Sequence, residues 1–332
     1  MKKFINEIDT LYTESLEGFA KAHADIIQLN TEPYFISRAS STHKNKVAII
    51  SGGGSGHEPL HSGFVGKGML DAACPGQIFT SPTPDQMLAA AEVATEVATE
   101  AGVLFIVKNY AGDVMNFEIA AEMLECPNAS VLVDDDVSLP KTHSTGRRGV
   151  AGTLIVEKIV GAAAENGADL TACKVLAERV NNNTASMGVA LTSCTVPALG
   201  EPTFEIDAQE MEMGVGIHGE RGHKTMPLAT ATEIVKTIAE AIEADLKPQK
   251  GQSALLHING LGATPLMEQY LIYDLAEKFW QKRGINITRS LVGNYTTSLD
   301  MAGVSITLTL LDDEMTQLWD APVHTPHLRW GC

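Results

Sequence analysis

The 332-residue sequence is poor in cationic side chains and lacks paired cysteine motifs. Its 24 Lys and Arg stand against 41 Asp and Glu, which gives a formal charge of −17. So acidic a surface repels nucleic-acid phosphates and anionic lipid, so we expect no direct binding to nucleic acid or to a membrane surface. The five cysteines are widely spaced and form no C-x-x-C pair, so they predict neither a zinc site nor a disulfide framework.

Long apolar runs are also missing. No run of about 18 apolar residues occurs, and the basic start MKKFINEIDT is not followed by an apolar stretch. A transmembrane helix and a secretory signal are therefore not expected, and the sequence predicts a soluble cytoplasmic protein. Nucleotide-binding fingerprints are absent too, since neither G-x-G-x-x-G nor G-x-x-x-x-G-K-[ST] is found.

What the sequence does contain is a repeated order of short β-branched run, Gly-rich loop and helical pattern. This order is typical of α/β proteins, and the length favours two domains. We predict two α/β domains, each built on a mixed β-sheet with flanking helices, over residues 1–187 and 188–332. The predicted strands are 47–50, 103–107, 130–133, 253–258, 285–291 and 304–311, and the predicted helices end near 124, 164, 246 and 282.

The first candidate site is Gly52-Gly-Gly-Ser-Gly-His57, directly after a predicted strand. Consecutive glycines let a small polar ligand approach the backbone, although the same run is also expected of a tight strand-to-helix turn. The following His57-Glu-Pro-Leu-His61 matches the zinc-protease pattern H-E-x-x-H. That pattern needs one continuous helix, and Pro59 disfavours it, so we reject a zinc site here.

The second candidate is Lys108-Asn-Tyr-Ala-Gly-Asp113, between a predicted strand and a helix. Asp113 can be a general base that Lys108 keeps ionised, or it can simply be the N-cap of the helix.

Two charged segments follow. Asp134-Asp-Asp136 is interpreted as a solvated turn rather than a Mg²⁺ site, and Gly146-Arg-Arg-Gly149 as an anion site or as a partner of those acids.

The third candidate is His218, in Gly214-Val-Gly-Ile-His-Gly-Glu-Arg-Gly222. A histidine flanked by glycines gains no packing, and an unprotonated imidazole can attack a carbonyl carbon that glycine lets come close. A flexible loop with an incidental histidine is the alternative.

Taken together, the sequence resembles the K subunit family of dihydroxyacetone kinases over essentially its whole length. The matching segments are SGGGSGHEP (51–59), KNYAGDVMNFE (108–118), GRRGVAGT (146–153), MGVALTSCTVPALGEPTFEI (187–206), GVGIHGE (214–220), NGLGATPL (259–266) and GNYTTSLDMAGVSITL (293–308).

The resemblance implies a role for each matching residue. His218 would hold dihydroxyacetone as a hemiaminal, and Asp113 would take the proton from its hydroxyl. His57 would be hydrogen-bonded to the substrate, with Gly54 and Lys108 as further substrate contacts. A hemiaminal forms with a ketone or aldehyde but not with glycerol, so covalent capture would select the substrate.

The resemblance also implies partners. It indicates the bacterial split form, in which a separate L subunit carries ADP and Mg²⁺ and is recharged from phosphoenolpyruvate through a phosphotransferase-system protein. No cofactor is expected in this chain. The chain is expected to form a homodimer. Ala111 stands where the family usually has Thr before Gly-Asp. The alternative is a K-like coactivator that senses dihydroxyacetone and binds a transcription regulator.

Overall fold

In residues 2–40, 45–95 and 100–332, which the computed structural model describes, the chain forms two units, each built on a six-stranded sheet. The first unit contains Met1–Val133, Thr153–Val180 and Met315–Cys332, and the second contains Asp134–Gly152 and Asn181–Glu314. Sequence analysis predicted one boundary, between residues 187 and 188, whereas the chain passes between the units at four points. Periodicity marks where elements begin and end but not which remote segments pack together.

The sheet of the first unit has the strand order β1-β2-β4-β3-β5-β6. Strands β4, β3, β5 and β6 run parallel, and β1 and β2 form an antiparallel edge. The strands are β1 Ile27–Thr31, β2 Tyr34–Arg38, β3 Ala48–Ser55, β4 Ala72–Ile78, β5 Val103–Lys108 and β6 Asn128–Val133. The helices of this region are α1 Leu11–Ala22, α2 Pro84–Thr95, α3 Ala111–Met123, α4 Gly152–Glu165, α5 Leu170–Asn182 and α8 Asp313–Asp320. A 3-10 turn covers Ser62–Phe64, and β13 Val323–His324 pairs with β14 Arg329–Trp330.

The sheet of the second unit has the order β11-β10-β12-β7-β8-β9. It is antiparallel except for the pair β10–β11, so both sheets are mixed, as predicted. Its strands are β7 Thr184–Ala190, β8 Glu210–Met213, β9 Lys224–Pro227, β10 Ser253–Gly260, β11 Asn286–Gly293 and β12 Gly303–Leu311, and its helices are α6 Ala231–Leu246 and α7 Leu266–Lys282.

Each unit has its own apolar core. In the first, Ile50 and Phe105 of the parallel strands pack against Met87 and Phe117 of α2 and α3. In the second, Leu256 and Ile306 pack with Trp280 of α7. Burial of side chains of this size is the main contribution to folding. In the part of the chain that the structure describes, no helix is long and apolar enough to cross a membrane.

The predicted helices and strands are present, but the Gly-rich segment is not the loop that we predicted. Strand β3 continues through Gly52, Gly53 and Gly54 to Ser55 and pairs with β4 along this stretch. Close neighbours explain the glycines, because a Cβ on Gly52 would lie 2.6 Å from the Cys74 carbonyl oxygen. The glycines therefore allow the strand to pass through a crowded part of the sheet.

Candidate functional site

The candidate residues of the first unit lie at the carboxyl end of its parallel strands. Strands β3 and β5 are neighbours in the sheet, but the chain continues from them in opposite directions: from β3 to β4 on one side, and from β5 through α3 to β6 on the other. Such a reversal of strand order opens a crevice at the carboxyl ends of β3 and β5, where open α/β sheets bind their ligands. Gly54 and His57 come from the end of β3, and Lys108 and Asp113 from the end of β5 and the start of α3.

Lys108 and Asp113 form a buried ion pair. Their Nζ and Oδ2 atoms are 3.4 Å apart, and the two side chains are 0% and 2% exposed. Asp113 lies in the first turn of α3, where the helix dipole favours a negative charge. The N-cap is Tyr110, so the interpretation of Asp113 as an N-cap is wrong. A carboxylate buried against an ammonium at a strand end is suited to proton transfer.

His57 and Gly54 pack beside Phe79, which follows β4. The His57 ring is buried and stacks on Phe79 with 5.2 Å between the ring centroids. Gly54 has no room for a side chain, since a Cβ there would lie 2.6 Å from the Thr80 nitrogen. The segment from His57 to His61 forms turns rather than the continuous helix that H-E-x-x-H requires. In the residues that the structure describes, no three His, Cys, Asp or Glu side chains are grouped to hold a metal ion.

Sequence reasoning missed a second layer behind Lys108. The Lys108 ammonium also donates to the Gly52 carbonyl and faces His61 Nε2 at 3.0 Å. His61 Nδ1 in turn lies 2.6 Å from Glu157 Oε1, and Glu157 of α4 is fully buried. The one sequence signal was a charged pair, Glu157-Lys158, within an otherwise apolar helix.

In the second unit, His218 is half-buried in the loop that joins β8 to β9. Its backbone nitrogen donates to Glu220 Oε2 over 2.8 Å. Gly214 and Gly219 have φ angles of 76° and 71°, a conformation that favours glycine. The side chain of Glu220 fills the space that a Cβ on Gly216 would need. The histidine is therefore held in a defined loop.

Arg148 connects this loop to the rest of the second unit. Its guanidinium donates to the Gly214 carbonyl over 2.7 Å and to Glu220 Oε1 over 3.1 Å. It also pairs with Asp136 and Ser138. Arg148 thus contacts the first residue of the loop and the carboxylate that accepts from His218.

The aspartates after β6 do not form the solvated turn that we predicted. Asp135 and Asp136 are 2% and 1% exposed. Asp135 accepts from the Val150 and Gly152 backbone nitrogens at the start of α4, and Asp136 pairs with Arg148. Burial raises the pKa of Asp135 to about 6. Of the two interpretations of the arginine motif, pairing with these acids is the one that the contacts support.

Comparison with known proteins decides the family. The Dak1 domain model matches residues 17–327. This chain belongs to the Dak1 family. A relative, the dihydroxyacetone-binding subunit DhaK of the PEP-dependent dihydroxyacetone kinase of Escherichia coli, is 45% identical over the full length of both chains.

Two solved structures are similar to this chain over nearly its whole length. The co-activator Dha-DhaQ of a dihydroxyacetone kinase operon has a TM-score of 0.89 at 30% identity, covering 97% of this chain and 98% of its own. The dihydroxyacetone kinase of C. freundii has a TM-score of 0.85 at 35% identity, and 99% of this chain matches 60% of that one. The proteins similar to this chain thus include kinases and a co-activator.

Proposed function

We propose that this chain is the dihydroxyacetone-binding subunit of a phosphoenolpyruvate-dependent dihydroxyacetone kinase. The buried Lys108–Asp113 pair carries the proposal, because a kinase needs a base for the substrate hydroxyl whereas a sensor does not. Full-length identity of 45% to the E. coli subunit supports the same function.

In the proposed reaction, His218 attacks the carbonyl carbon of dihydroxyacetone. One ring nitrogen forms a C–N bond, the C=O π pair moves to oxygen, and that oxygen takes up the proton from the imidazole to give a neutral hemiaminal. Capture fixes the triose, which lowers the entropic cost of the later transfer.

Asp113 then accepts the proton of the terminal hydroxyl of the substrate, while the oxygen of that hydroxyl attacks the γ-phosphorus of the donor nucleotide. The P–O bond to the nucleotide breaks and ADP leaves with that electron pair. Reversal of capture returns the product and free imidazole. A hydrogen bond with His57, together with contacts at Gly54 and Lys108, would orient the hydroxyl groups.

The proposal assigns the nucleotide to a separate L subunit, which would hold ADP and Mg²⁺ and be recharged by a phosphotransferase-system protein. We also propose a cytoplasmic homodimer of this chain. Neither a cofactor nor a metal is assigned to the chain itself.

The test is phosphoenolpyruvate-driven phosphorylation of dihydroxyacetone by this chain mixed with an L subunit and its phosphoryl donors. Asp113→Asn keeps the size of the side chain but cannot accept the proton. We expect turnover with the wild type and its collapse in Asp113→Asn. Wild-type inactivity with partners proven active on the E. coli subunit would contradict the proposal.

A sensing coactivator is the second candidate, since the chain also resembles Dha-DhaQ. It would bind dihydroxyacetone and a transcription regulator without phosphorylating the ligand. Ligand binding that persists without turnover would favour this function.

A further inference from the structure

The buried cluster behind Lys108 contains two groups, His61 and Glu157, to which the proposed reaction assigns no part. Both belong to the first unit and are 3% and 0% exposed at their side chains. Buried ionisable side chains reduce stability unless their environment compensates, so their presence beside a catalytic pair calls for an explanation.

The contacts of Lys108 fix where the proton of His61 lies. An ammonium group has three hydrogens and no acceptor. Its partners are the Gly52 carbonyl at 3.3 Å, Asp113 Oδ2 at 3.4 Å and His61 Nε2 at 3.0 Å. Nε2 must therefore accept, so it carries a lone pair and the ring proton is on Nδ1.

The other side of the ring fits the same assignment. His61 Nδ1 lies 2.6 Å from Glu157 Oε1 and 3.0 Å from Ser51 Oγ. The Ser51 hydroxyl donates to the Ile106 carbonyl over 2.7 Å, which leaves its oxygen lone pairs toward Nδ1–H. Both neighbours of Nδ1 are acceptors, so the neutral Nδ1–H form satisfies every contact of the ring.

Glu157 accepts from Nδ1–H whether or not it is ionised, because its second oxygen can carry the proton. Burial raises the pKa of Glu157 to about 8. Burial, Lys108 and His57 lower the pKa of His61 well below its usual range, which agrees with a neutral ring.

We infer that Glu157 and His61 are positioning residues that keep the Lys108 ammonium beside Asp113. This inference rests on the proposed function, which makes Asp113 the base. Without an acceptor at position 157 the ring can move its proton to Nε2. That N–H would point at the ammonium and displace it from Gly52 and Asp113. Neither residue is assigned a contact with substrate.

The first test reads the tautomer directly and needs no substrate. The chain is labelled with ¹⁵N only at its ten histidines, and the His61 signals are assigned by their loss in His61→Asn. Two-bond ¹H–¹⁵N correlations distinguish the two neutral tautomers and the imidazolium. We expect the neutral Nδ1–H pattern from pH 6 to pH 8, whereas an Nε2–H pattern or an imidazolium in this range would overturn the inference.

The second test separates positioning from mere folding. Glu157→Leu removes the acceptor, while Glu157→Gln retains an amide oxygen for Nδ1–H. We expect Glu157→Leu to lower kcat by about 10- to 100-fold, the range found when a hydrogen-bond partner that orients a metal-bound histidine is removed, with KM unchanged. Glu157→Gln should restore kcat to near the wild-type value. The matched control is Glu178→Leu, on the surface of α5, which should leave kcat unchanged.

Each outcome is informative. A folded Glu157→Leu with full kcat, or a Glu157→Gln as slow as Glu157→Leu, would contradict the positioning role. If Glu157→Leu does not fold, the kcat of Glu157→Gln and the wild-type His61 pattern decide. Wild-type inactivity would contradict the proposed function instead, and comparison of the His61 patterns of the wild type and Glu157→Leu would still show whether Glu157 sets the tautomer.

Discussion

Arg148 and the buried Asp136 form an ion pair in which Nε and Nη2 lie 2.8 and 2.7 Å from Oδ2. The pair holds the arginine in place, and the same guanidinium donates to the Gly214 carbonyl and to Glu220. The loop that presents His218 is thus anchored to the segment that follows β6. The position of the proposed nucleophile depends on side chains that lie about 70 residues earlier in the chain.

Replacement of Arg148 by lysine tests this anchoring. Lysine keeps the charge but cannot make the planar set of hydrogen bonds that spans Asp136, Gly214 and Glu220. We expect dihydroxyacetone capture to weaken by about 10-fold or more, as for loss of one charged hydrogen bond of about 1.5–3 kcal/mol. Isothermal calorimetry measures the affinity.

Arg147→Lys is the matched control, because Arg147 is the neighbouring arginine of the same motif, 9% exposed against 14% for Arg148, but pairs with Asp245 and the Leu139 carbonyl. It should leave capture unchanged. An equal loss of dihydroxyacetone affinity in Arg148→Lys and Arg147→Lys would show a general effect on folding instead of an effect on the His218 loop.

Gly53→Ala is expected to abolish turnover. A Cβ at this position would lie 2.1 Å from Lys108 Nζ, so the ammonium has to leave its place beside Asp113. Capture should persist because His218 is unchanged. Phosphotransfer and ligand binding are measured on the same preparation, and retained turnover would contradict the role of the ion pair.

Gly18→Ala controls for the general effect of an added methyl group. Gly18 lies in α1, with nothing within 4 Å of the new Cβ. The substitution should raise the free energy of unfolding by about 0.5–1 kcal/mol, because alanine is favoured in helices. Its turnover should equal that of the wild type.

Stability should depend on pH through Glu157. Burial raises the pKa of Glu157 from 4.5 to about 8, so the folded state favours the protonated acid. The free energy of unfolding of the wild type should therefore fall, relative to Glu157→Gln, as pH rises from 4.5 to 8. Each unit of pKa difference corresponds to ~1.4 kcal/mol.

Urea unfolding at pH 5 and pH 8 measures this difference. His61 contacts the side chain at position 157 and Lys108 contacts His61, and neither residue is changed in Glu157→Gln, so their own titration is common to the comparison. A constant difference between the two proteins over this range would mean that Glu157 titrates normally in the folded state.

The sequence predicted the fold class because its signals are local. The apolar run of β5 is complete within its own segment, and both this strand and the helix predicted after it, α3, are confirmed. The composition of the two units was not predicted. Residues 153–180 and 315–332 belong to the first unit because they contact residues far away in the sequence, and local patterns do not reveal such contacts.

The candidate site was predicted in part, and for the same reason. His57, Lys108, Asp113 and His218 stand in family motifs, whereas Glu157 is one acid within a helix and meets His61 from 96 residues away. The buried aspartates were misjudged because three adjacent acids suggest solvent exposure. Their burial is compensated by contacts that only the fold brings about: the Val150 backbone nitrogen before α4 donates to Asp135, and Arg148 pairs with Asp136.

The most direct test of the account follows the carbonyl carbon of the substrate. [2-¹³C]Dihydroxyacetone is added to the chain labelled with ¹⁵N at histidine, and the ¹³C spectrum is recorded for the wild type and His218→Ala. We predict a bound tetrahedral carbon that shows one-bond coupling to ¹⁵N in the wild type only, which distinguishes the hemiaminal from the hydrate. Bound ketone without such coupling, or the same coupled signal in His218→Ala, would contradict covalent capture on His218.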